Sequence, residues 1–145
     1  MTEPLSDERA MAQVVEAARQ IVRTARLNDV TGGFLFESCN DQGAPPYRGR
    51  VDMSFAVSAG MDPEEHFKQI ATAMVRQGWT DGPPPGRRPF GLAVHTETVM
   101  VVIGRACGDN SRGSAQVCGE CRNLTDHRHD GMTVGNEITD RLTGR

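Results

Sequence analysis

The sequence predicts an α+β two-layer sandwich, an antiparallel sheet with two helices on one face. Three observations point to it: an apolar stripe at helical spacing near the N-terminus, a period-two alternation over residues 47–57, and a second capped helix followed by further strand-like runs. The expected element order is α-β-β-α-β-β-β. Residues 1–127 read as a single domain and residues 128–145 as a polar C-terminal tail.

Ala10, Met11, Val14, Val15, Ala18, Ile21, Val22 and Ala25 recur every three or four positions and fall on one side of a helix from Ser6 to Leu27. Ser6 suits its N-cap, and Asp7 and Glu8 face the positive end of the dipole. A short strand over residues 31–38 follows, carrying Phe34, Leu35 and Phe36. The turn-rich segment 40–46 links it to a second strand, in which Tyr47, Val51, Met53, Phe55 and Val57 alternate with Arg48, Arg50, Asp52 and Ser54. The two strands should pair as an antiparallel hairpin.

Asp62-Pro63-Glu64-Glu65 starts the second helix, with Asp62 as cap and Pro63 in the first helical position. Phe67, Ile70, Ala71, Met74 and Val75 supply its stripe, and Gly78 suits the left-handed residue past its end, with Trp79 packed over the terminus. Residues 81–89 contain four prolines, which remove donors and fix φ, so they form an exposed connection. Strands are expected over 90–95 and 99–105, joined by a tight turn near Thr96, and again over 114–123.

Four cysteines carry the strongest clue to compartment: Cys39, Cys107, Cys118 and Cys121. A hairpin turning about residues 111–113 sets Cys107 opposite Cys118 and Arg105 opposite Glu120, which leaves Cys121 on the other face to meet Cys39. Other pairings stay open. So does a zinc site of Cys118 and Cys121 with Cys39, Cys107, His127 or His129, although Cys-x-x-Cys is only half of a zinc ribbon. A thioredoxin-like pair needs a helix after its first cysteine, and residues 122–126 lack a helical stripe.

Catalysis finds little support. His66, His95, His127 and His129 are the histidines: His66 reads as a solvated helix residue, His95 as a turn residue, and the last two as tail residues beside Asp126 and Asp130. No nucleophile elbow, phosphate loop or His-Glu-x-x-His helix is present. Asp52 is expected to pair with Arg50 or Arg48, which share its strand face. The net charge of −3 disfavours nucleic acid, and 15 of the 16 basic residues are Arg. No run approaches the roughly 20 apolar residues of a membrane span, and no cofactor motif occurs.

Glu37-Ser38-Cys39-Asn40-Asp41-Gln42-Gly43, a helix ending in Gly78-Trp79, and Gly119-Glu120-Cys121-Arg122 resemble small actinobacterial lipoproteins of the mycobacterial LppA type. The resemblance implies an extracytoplasmic α+β domain of unknown function, often tethered through an N-terminal lipidated cysteine. No cysteine precedes Cys39 in this chain. The expectation is a non-catalytic binding domain for an unknown protein or envelope component. Its contact loops are expected to include Asn40, Asp41 and Gln42 on one side and Arg87 and Arg88 on the other. The location is extracytoplasmic if disulfides form and cytoplasmic otherwise. The alternatives are a small zinc- or thiol-dependent protein and a cytosolic partner-inhibiting protein of immunity or antitoxin type.

Overall fold

The computed structural model describes residues 3–87, 89, 91–106 and 109–144, so Arg88 and Cys107 lie outside the described residues. The elements are α1 (Asp7–Thr24), β1 (Asn28–Ser38), β2 (Tyr47–Ala56), α2 (Pro63–Arg76), β3 (Thr80–Asp81), β4 (Leu92–His95), β5 (Met100–Ala106), β6 (Asp109–Cys118), β7 (Asn136–Glu137) and α3 (Thr139–Thr143). The strands form one sheet in the order β3-β4-β5-β6-β2-β1-β7, with every pairing antiparallel. The α+β class holds.

Helix α1 forms where its stripe predicts. Ser6 Oγ accepts from the Arg9 amide at 3.2 Å, and Ala10, Val14, Val15, Ala18 and Ile21 are buried. Fully burying side chains of the size of Val14 and Ile21 contributes about 1.5–3 kcal/mol each. The helix stops three residues earlier than expected, because Arg26 takes φ 54° and releases the chain into β1. Its close seat on the sheet depends on Gly49, where a Cβ would lie 2.5 Å from the Ala10 carbonyl oxygen.

Helix α2 starts as expected, with Asp62 Oδ2 accepting from the Glu65 amide at 3.3 Å. Gly78 takes φ 101°, and the Trp79 amide returns to the Met74 carbonyl at 3.2 Å. Together α1 and α2 cover the face that carries Tyr47, Val51, Met53, Phe55, Val101, Ile103, Ala115 and Val117, and the core lies between the layers.

The register of β6 corrects the sequence reading. Val101 pairs with Val117 and Ile103 with Ala115, which sets Arg105 opposite Gly113 rather than Glu120, and Cys118 opposite Met100. Core packing decides this: Gly113 must lie where a Cβ would stand 2.5 Å from Phe55 and 2.7 Å from Phe67, so residues 111–113 lie within β6 and the pairing runs on to Ala106 opposite Asp109. Arg105 pairs instead with Glu64 of α2.

Beyond residue 127 the structure adds β7, paired to β1 at Gly33 and Phe34, and the short α3, which packs Leu142 against Gly32. Ile138 and Leu142 are buried there.

Candidate functional site

Alternation along β2 puts its charged residues on the sheet face opposite the helices. There Nε and Nη2 of Arg48 hold Glu37 Oε1 of β1, Arg50 Nη1 holds the second Glu37 oxygen, and Arg50 forks onto Asp52 at 2.9 Å through Nε and Nη2. Burial alone would push the Glu37 carboxyl up, but the hydrogen bonds and charges of Arg48 and Arg50 outweigh it and hold it below its ordinary value. Farther along, Arg112 of β6 donates to Ser54 Oγ at 2.7 Å and pairs with Asp29 at 2.7 Å. Asp52 thus meets Arg50, one of the two partners expected for it.

The proline-rich connection turns this face into a cleft. It is anchored at Gly82, whose amide donates to the Ala93 carbonyl at 2.9 Å and whose carbonyl oxygen lies 2.8 Å from His95 Nδ1, and it ends where β4 begins at Leu92. Between these points Arg87, Pro89 and Gly91 form one wall of a cleft of about 720 Å³, Arg48, Met100, Val102, Ser114 and Gln116 line the sheet side, and Glu64 and Phe67 of α2 also border it. A volume of this size falls in the range typical of small-molecule sites. A smaller cavity of about 200 Å³ shares Arg48, Arg87 and Met100 and reaches Cys118.

Cys118 does not pair with Cys107 as the expected register required. It is a free thiol, 2% exposed, opposite Met100 on β5 and Arg50 on β2, with Sγ 3.7 Å from Gln116 Oε1. Burial is the main influence on it and pushes its thiol up, away from the reactive thiolate. Cys39 and Cys121 are joined by a disulfide with Cα atoms 6.2 Å apart, across 82 positions of sequence. That bond removes Cys121 from any zinc set or redox pair with Cys118, and within the described residues no three His, Cys, Asp or Glu side chains gather as metal ligands.

The other expected contact loop, residues 40–46, is held by its own side chains. Asn40 Oδ1 accepts from the Gln42 amide at 2.9 Å, Asn40 Nδ2 donates to the Ala44 carbonyl at 3.0 Å, and the Tyr47 hydroxyl donates to the Gly43 carbonyl at 2.6 Å. Asp41 and Gln42 are exposed on it.

Sequence reasoning placed His127 in a tail, and the structure buries it at 1% exposure. Its ring stacks on Phe36 at 3.9 Å and meets Tyr47 edge-on at 5.0 Å. Nδ1 lies 2.6 Å from Asp130 Oδ2 and Nε2 lies 2.8 Å from Asn123 Oδ1. Asn123 Nδ2 in turn donates to the Leu5 carbonyl and to Asp7 Oδ1. The hydrogen bond from His127 is the largest of the influences that hold the Asp130 carboxyl below its ordinary value. His66, expected at the surface, is 7% exposed beside Phe55, and burial lowers its pKa. The sequence held one signal for the His127 cluster, the closely spaced Asn123, His127 and Asp130, but not the partners that converge on it.

These features define a class: a disulfide-stapled α+β domain with its helices on one side of the sheet and a cleft that opens on the other and reaches round to Glu64 and Phe67 of α2. The chain belongs to the LppJ family, described as "Putative lipoprotein LppJ", whose model matches residues 6–141. The resemblance to small actinobacterial lipoproteins therefore holds, with LppJ in place of the LppA type as the group matched. Relatives named LppJ from two strains of Mycobacterium tuberculosis, CDC 1551 / Oshkosh and H37Rv, and from Mycobacterium bovis are each 48% identical over 139 residues. The match covers 96% of this chain and 72% of each relative. No solved structure matches. Within the described residues no helix is long and apolar enough to cross a membrane.

Proposed function

We propose that this chain is a non-catalytic binding domain of the cell envelope, stabilised by Cys39–Cys121, which takes its ligand on the helix-free face of the sheet beneath loop 82–91. The single observation that carries the reading is the cleft of about 720 Å³ between that loop and strands β2, β5 and β6. The envelope location is supported by the lipoprotein description of the family and by the disulfide, which persists in oxidising compartments. A binding role without chemistry is supported by the acids and thiol on this face: the carboxylates of Glu37 and Asp52 are held by Arg48 and Arg50, and the Cys118 thiol is buried. In this reading Arg87 contacts the ligand directly, and Asn40, Asp41 and Gln42 form a second, preorganised contact loop.

Two measurements test it. Differential alkylation in intact cells, read by mass spectrometry together with fractionation, should find Cys39 and Cys121 blocked in the envelope fraction. Alkylated cysteines on a cytosolic protein refute the location. A photo-crosslinking side chain at Gln116, inside the cleft, should give adducts that the same group at Val75, on the exposed side of α2, does not; equal labelling refutes the binding face.

A further inference from the structure

The cleft has a polarity of its own. The chain as a whole carries a net charge of −3, whereas the charged side chains lining the cleft are Arg48, Arg87 and Arg105 against the single Glu64. Arg105 is held by Glu64 at 3.0 Å. The other two guanidinia keep unused capacity: Arg87 is exposed and makes no ion pair among the described residues, and Nη1 of Arg48 makes no hydrogen bond there while Nε and Nη2 hold Glu37. Both line the larger cavity and the smaller one, so both face the same space. The sheet side of the cleft sets the half-buried Met100 and Val102, an apolar strip, beside Ser114 and Gln116, and Pro89 lines the loop side.

A guanidinium fork matches the two oxygens of a carboxylate or phosphate, and an apolar floor beside it matches a hydrocarbon chain. We infer that the cleft binds a single-chain anionic amphiphile, its carboxylate or phosphate head between Arg48 and Arg87 and its tail over Met100 and Val102. This inference rests on the binding reading above and names the ligand class for it. Arg48 is fixed in place by Glu37, and Arg87 rides on the loop, where the Arg87 amide donates to the Pro84 carbonyl at 3.1 Å. One guanidinium is therefore preorganised on the sheet, and the other meets the head group from the loop side.

The test is an amide-resolved NMR titration of the intact chain with decanoate, decyl phosphate and the neutral decanol. The expected result is saturable shifts at Met100, Val102, Ser114 and Gln116 with one or both anions, at affinity at least about tenfold above decanol. Arg87→Gln should weaken anion binding by about tenfold, as expected for one lost charge-assisted hydrogen bond. Lys68→Gln on the helix side should change nothing. Whichever anion binds names the head group. The inference is overturned if neither anion saturates, if decanol binds equally well, or if Arg87→Gln binds as the parent does. Because Arg87 holds no other side chain among the described residues, a folding defect does not confuse the comparison. Blocked Cys39 and Cys121 and the Gln116 crosslink are read without any amphiphile, so the binding domain can stand while this ligand class falls.

Discussion

Replacing both bridge cysteines, Cys39→Ala with Cys121→Ala, isolates what the disulfide contributes without leaving a new thiol. The bond closes 82 positions of chain. In the loop-entropy treatment this lowers the entropy of the unfolded ensemble by about 15 cal/mol/K, or about 4.5 kcal/mol at 25 °C. Domains of this size are stable by only about 5–15 kcal/mol, so the loss is a large share of the total. With about 2.1 cal/mol/K of unfolding entropy per residue, it corresponds to a Tm drop of roughly 15 °C. The folded state should survive, because Cys39 and Cys121 sit at the rim and the Cys39 amide still donates to the Pro46 carbonyl at 3.0 Å. Urea unfolding of the parent and the double variant, followed by far-UV circular dichroism, measures the difference. A loss below about 1 kcal/mol with an unchanged denaturant slope refutes the reasoning, because the two segments would then be held together equally well without the bond.

Gly113→Ala places a methyl group 2.5 Å from Phe55 and 2.7 Å from Phe67, and should cost about 1–3 kcal/mol in chemical denaturation; a neutral result means that this part of the core is loose. Glu37 has a folded pKa below its ordinary 4.5, so its contribution is present above that value and lost as the pH falls through the lower folded value. Glu37→Gln should therefore lose roughly 1–2 kcal/mol at pH 7 and show a shallower fall in stability between pH 5 and pH 3 than the parent; parallel curves contradict the Arg48 and Arg50 assignment. Cys118 should resist iodoacetamide in the native protein and label only on unfolding, as peptide mapping would reveal; rapid native labelling contradicts its burial.

The elements that were legible in the sequence have local causes. The stripe of α1, the Asp62-Pro63 start of α2 and the alternation along β2 each follow from neighbours within a few positions. The β5–β6 register was not legible because two features agreed on a wrong answer: Cys107 facing Cys118, and Arg105 facing Glu120. The fit of Gly113 between Phe55 and Phe67, a contact between distant segments, overrides both. Strand β7 is two residues long, and α3 buries only Leu142 among its five residues, so neither produces a periodic signal. The candidate site was half visible. Arg48, Arg50 and Asp52 could be placed on one face and Arg87 on an exposed loop, but their meeting across a cleft depends on how loop 82–91 is anchored at Ala93 and His95.

The anchoring of the N-terminal segment has a mechanical consequence. The Leu5 amide donates to the Arg122 carbonyl at 2.8 Å, the Leu5 carbonyl accepts from Asn123, and the neighbouring Cys121 is covalently bound to Cys39. A load arriving at Leu5 is therefore shared between the backbone into α1 and two hydrogen bonds to the segment that Cys121 ties covalently to the end of β1.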